Sequence, residues 1–77
     1  MKRYATAFVN LLENNVKSGV ILANTEIQAM TMAITREFPN DIDIVAWLSH
    51  IQNHDVEKWK SEVLQGEISI DATEIID

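Results

Sequence analysis

KRYATAFVNLLENNVK, residues 2–17, places Tyr4, Phe8, Leu11, Leu12 and Val16 at i, i+4, i+7, i+8 and i+12. That spacing is one apolar stripe of a 3.6-residue repeat, so periodicity predicts a helix from about Lys2 to Lys17. Lys17 in the last turn suits the helix dipole, and Gly19 can supply the stop. Asn14-Asn15 weaken its end. Val20-Ile21-Leu22, between Gly19 and Asn24, is either extended or a buried link between helices, and three residues are too few for periodicity to decide.

Outward from that stretch, three more helices are signalled. Thr25 and Gln28 have capping-box spacing. Ile27, Met30, Ile34 and Phe38 then form a stripe that must stop before Pro39, which disfavours helical geometry in the residue ahead of it. Asn40 or Asp41 can cap a third helix with Ile44, Trp47, Leu48 and Ile51 inward and Ile42 as a staple. Asn53 or Asp55 can cap a fourth, with Val56, Trp59 and Val63 inward and Gly66 as its stop. Ile68 and Ile70 alternate with polar residues in a strand-like period of two, while Asp71 and Glu74 could instead open a short terminal helix carrying Ile75 and Ile76. The expected fold is all-α: a compact bundle of about four helices over residues 1–66, with an acidic tail, residues 67–77, docked on the bundle or on a partner.

A chain of 77 residues has room for one domain with a marginal core. It has no cysteine, so neither disulfides nor thiolate metal sites can reinforce it. Self-association is therefore physically reasonable. No apolar run approaches the length of a membrane span and no signal core is visible, which reads as a cytoplasmic protein that does not engage a membrane.

Chemistry is sparsely signalled. His50 and His54 are four apart, but the zincin pattern needs a glutamate where Ile51 stands, and the spacing crosses the break at Asn53. Two solvated histidines explain the pattern without a metal. Glu37, Asp41 and Asp43 cluster about Pro39, where capping accounts for them. No serine lies in a G-x-S-x-G context, and two glycines cannot build a phosphate loop. The expectation is a protein that is not an enzyme and uses no cofactor.

Net charge is −6, and it is uneven: residues 1–20 carry +2, and residues 55–77 carry −5. An acidic C-terminal third repels phosphate, so nucleic-acid binding is unfavourable. The first functional expectation is a non-catalytic protein–protein interaction module steered to a basic surface. Glu57, Glu62, Glu67, Asp71 and Glu74 would supply the charge, and Trp59, Ile68 and Ile70 the apolar anchors. Trp59, between Lys58 and Lys60, is read as the wetter of the two tryptophans. Met30 and Met32 with Trp47 and Trp59 could line a partner groove, although core packing explains them better. The alternative is a small helical nucleic-acid-associated regulator using Lys2, Arg3 and Lys17.

The order Phe8…Leu12, Phe38-Pro39, Ile44…Trp47-Leu48 and Trp59 resembles small SAM-like helical proteins of the YozE type, although their tyrosine-rich start and aromatic-rich third segment are missing. That resemblance implies an all-helical fold. Size, acidity and lack of cysteine are also similar to small phage or mobile-element proteins that bind or block a host protein.

Overall fold

In a computed structural model, which describes residues 1–76, the chain is α+β. Its order is β1 (Lys2–Asn10), β2 (Asn15–Ala23), α1 (Glu26–Glu37), α2 (Ile42–His50), α3 (Val56–Gln65) and β3 (Ile68–Glu74). The strands form one antiparallel sheet in the order β2-β1-β3. The all-α bundle is thus overturned, and with it the helical fold that the SAM-like resemblance implied. Residues 2–17 are not a helix but a strand, a turn and the start of a second strand.

The physical reason lies in β1. Tyr4, Thr6, Phe8 and Asn10 are buried, and the residues between them face outward, a period of two. Tyr4 and Phe8 are four apart, a spacing that helix and strand share. Thr6 and Asn10 hide the alternation because they are polar, and each is satisfied locally. The Thr6 hydroxyl donates to the Gly19 carbonyl at 3.3 Å, and Asn10 Oδ1 accepts from the Leu12 and Glu13 amides at 3.1 and 3.2 Å. Those two bonds build the hairpin turn, and Asn14 completes it at φ 53°, a left-handed conformation that asparagine tolerates.

The three later helices follow their caps. Thr25 accepts from the Gln28 amide at 3.1 Å, while Gln28 Oε1 accepts from the Asn24 amide at 2.9 Å. Asp41 and Asp55 cap α2 and α3 through the Ile44 and Lys58 amides. α1 crosses all three strands, α3 packs against β3, and α2 rests on α1. All helices lie on one face of the sheet, and the core forms there from Tyr4, Phe8, Ile21, Met30, Ile34, Leu48, Trp59, Val63, Ile68 and Ile70. Phe8 meets Phe38 edge to face at 6.2 Å.

The segment 67–77, expected as a docked tail, contributes β3, which pairs with β1 from Tyr4↔Glu74 to Asn10↔Ile68. Asp77 lies outside the described residues. Gly66 caps α3, but with φ −83°, and the left-handed residue is its neighbour Glu67 at φ 66°. Space at 66 is tight, because a Cβ there would lie 3.3 Å from both Trp47 Cη2 and the Val63 carbonyl oxygen. No helix is long and apolar enough to cross a membrane among the described residues.

Candidate interaction surface

The residues expected to bind a partner divide by burial. Trp59 is 0% exposed, Ile68 5% and Ile70 7%, so none can anchor a partner on the surface. Trp59 is also the drier tryptophan, since Trp47 is only partly buried. Its neighbours Lys58 and Lys60 gave the wrong hint, because adjacent residues on a helix diverge by about 100°. Met30 is buried and Met32 is 40% exposed, so they line no common groove with the tryptophans.

The acidic residues lie on the α3–β3 flank, with Glu62 half-buried and Glu57, Glu67, Asp71 and Glu74 exposed. Two of them are engaged. Asp71 Oδ1 accepts from Lys60 Nζ at 2.8 Å, and Glu74 lies 3.5 Å from Lys2 Nζ. The bond from Lys60 holds the Asp71 carboxyl below its ordinary range, and that bond from Asp71 raises the Lys60 ammonium, with Glu26 and Glu57 adding to the effect. Both groups are largely solvated, so the pair is weak in stability.

The basic residues of the alternative reading do not sit on a helix. Lys2 and Lys17 occupy helix-side positions of β1 and β2, whereas Arg3 is on the opposite face of the sheet. They therefore form no common basic face for a phosphate backbone. His50 ends α2 and His54 lies in the following turn. Among the described residues no three histidine or carboxylate side chains cluster as a metal site would require. Asp41 is committed to its cap, and Glu37 accepts from Asn15 Nδ2 at 3.5 Å. An open hollow of about 640 Å³ lies along Phe38–Asp43 and contains no catalytic constellation.

The sequence reading missed the side of the sheet that the helices leave uncovered. There β1 presents Arg3, Ala5, Ala7 and Val9, with Arg3 beside Leu22 at one end, and β2 presents Val16, Ser18, Val20 and Leu22. Val16 is 68% exposed, Val20 55% and Leu22 54%. The two alanines form a flat strip down the central strand, and the larger residues of β2 rise beside it. Leu11 and Leu12, also exposed, lie in the turn at one end. β3 adds Ser69, Asp71 and Thr73, so the other border is polar. The signal was present in β2: its solvent side (Val, Val, Leu) is more apolar than the helix-side positions Lys17 and Gly19. Only the pairing register shows which side is which.

The chain matches no protein-family model, and neither its sequence nor its fold finds a significant match among curated proteins or solved structures.

Proposed function

We propose that the protein is a non-catalytic protein–protein interaction module whose contact surface is the uncovered face of its sheet. The observation that carries this reading is the cluster Val16, Val20 and Leu22, each more than half exposed, beside Ala5 and Ala7. Contiguous apolar patches with a polar border mark contact surfaces more often than scattered exposed side chains do. A flat strip of alanines also lets another backbone or helix approach closely, while valine and leucine supply the desolvated area.

The partner that fits is a protein with an apolar patch bordered by basic residues. Glu57, Glu62, Glu67, Asp71 and Glu74 on the α3–β3 flank then act in steering and at the rim, where charge governs encounter more than affinity. Occluding a surface on another protein, the activity expected of a small phage or mobile-element protein, needs no more chemistry than this.

Photocrosslinking in cells that carry the protein tests the reading. A photoreactive side chain replacing Ala7 is expected to capture a second protein, and Val20→Lys to abolish the adduct. The same probe at Leu64, exposed on the helix layer, is expected to capture none. Equal capture from both positions, or no capture from Ala7, would overturn the proposal.

A further inference from the structure

The direction of the main-chain groups on β2 follows from hydrogen bonds at the far side of the sheet. The Leu11 amide donates to the Glu67 carbonyl at 2.9 Å, and the Ile75 amide to the Arg3 carbonyl at 2.8 Å. Extending the β1–β3 register to these two pairs, odd-numbered residues of β1 turn both their N–H and C=O toward β3. Even-numbered residues of β1 then turn toward β2, where they face Asn15, Lys17, Gly19, Ile21 and their like. The N–H and C=O groups of Val16, Ser18, Val20 and Leu22 therefore point away from the sheet along its open edge.

The two edges of the sheet are treated differently. On β3 the same alternation turns the Ala72 N–H outward, and Asp71 Oδ1 accepts it at 3.0 Å. That carboxylate also holds Lys60 of α3 at 2.8 Å, so an ion pair straps the β3 edge to the helix layer. β2 shows no comparable strap: its nine residues include no proline and its register with β1 runs without a bulge. An unguarded edge of this length is a template for another strand. α1 covers β2 at Ile21 and Ala23 but leaves its middle open, because Lys17 and Gly19 are exposed and a Cβ on Gly19 would meet no atom within 4 Å.

We infer that β2 pairs antiparallel with β2 of a second copy, about a two-fold axis at Gly19, to give a continuous six-stranded sheet. Residues facing one another across such a pair must lie on the same side of the sheet. A dyad at Gly19 meets this condition and uses all of the outward groups, with Val16 opposite Leu22 and Ser18 opposite Val20. Charge favours a second copy as the occupant. The chain carries −6, yet of its 12 acidic residues only Glu13 precedes Glu26, and β2 itself holds none. Two copies can therefore meet here while their acidic flanks stay at the outer ends. The single charge on the strand, Lys17, faces Ile21 of the other copy. The two lysines are separated by about 13 Å along the strands, beyond the screening length of about 8 Å at physiological salt. The inference concerns the strand edge, whereas the proposed function concerns the sheet face. The dimer would double that face, and each can fail without the other.

Sedimentation of the full chain over a concentration series is expected to show a reversible dimer with a micromolar dissociation constant. Gly19→Cys, in a chain with no other cysteine, is expected to give a disulfide-linked dimer under mild oxidation, and Ile42→Cys, on an exposed helix start, far less. Ser18→Pro removes an outward N–H that β1 does not use, and should weaken the dimer at least about 100-fold. Ser18→Ala should leave it intact. A native chain that stays monomeric at all concentrations overturns the inference. So does a dimer that survives Ser18→Pro, or one that never links through Gly19→Cys. If Ser18→Pro fails to fold, the two cysteine variants decide. Capture through Ala7 by a monomeric chain would keep the face and discard the edge.

Discussion

Replacing Trp59 separates the two roles this residue can have. On a solvated face, Trp59→Ala would change stability by no more than about 0.5 kcal/mol. In the structure Trp59 is 0% exposed and packs among the core residues above the sheet. Truncating a buried tryptophan costs about 3–5 kcal/mol, from lost transfer energy and the cavity left behind. A 77-residue domain at about 0.05–0.15 kcal/mol per residue has only about 4–12 kcal/mol in total. The Ala variant should thus lose at least a quarter of its stability, and all of it at the lower end of that range. Trp59→Phe removes less volume and also removes Nε1, which is buried with no hydrogen-bond partner among the described residues. Leaving such a donor unsatisfied costs about 1–3 kcal/mol, so relief of that cost offsets much of the lost packing. The Phe variant should fall within about 2 kcal/mol of native. Urea unfolding followed by far-ultraviolet circular dichroism gives both values, at one fixed protein concentration because the chain is proposed to dimerise. An Ala variant within about 0.5 kcal/mol of native would refute the burial of Trp59.

The Lys60–Asp71 pair predicts a small pH dependence of known sign. Asp71 is held below its ordinary 3.8, so its contribution is present above that value and is lost as pH falls through the lowered one. Lys60 is raised above 10.5, so its contribution is present below that value and is lost as pH rises past it. With both groups solvated the effect should not exceed about 1 kcal/mol, and in Lys60→Met the Asp71 carboxyl resonance should titrate at higher pH. At the α3–β3 junction, Gly66→Ala should cost about 1–3 kcal/mol, because its Cβ would crowd Trp47. Glu67→Gly should gain up to about 1 kcal/mol in thermal or urea unfolding, because it relieves a left-handed backbone at φ 66°.

The three helices were legible because their ends are written in local chemistry. Thr25, Asp41 and Asp55 each bind an amide three residues on, and Pro39 stops α1 as its geometry requires. The first 23 residues were not legible for the opposite reason: nothing local forces them to extend. β1 is a strand because β2 and β3 flank it, and β3 comes from the far end of the chain. Its inward polar residues, Thr6 and Asn10, find partners only in the hairpin. Ile68 and Ile70 did show the strand period, but their burial against the helices turns them from anchors into core. The acidic flank was visible in composition. The apolar face was not, because Val16, Val20 and Leu22 look like core until the register turns them outward.

Proton–proton contacts across the central strand test the account most directly. If β1 lies between β2 and β3 in the stated registers, the non-hydrogen-bonded pairs bring α-protons together. Nuclear Overhauser spectra should then show strong α-proton contacts for Phe8–Ile70 and Thr6–Ala72 on one side, and for Ala5–Val20 and Ala7–Ser18 on the other. Absence of these four contacts, with sequential amide contacts of a helix running through residues 2–17, would contradict the sheet, its open edge and the surface built on it.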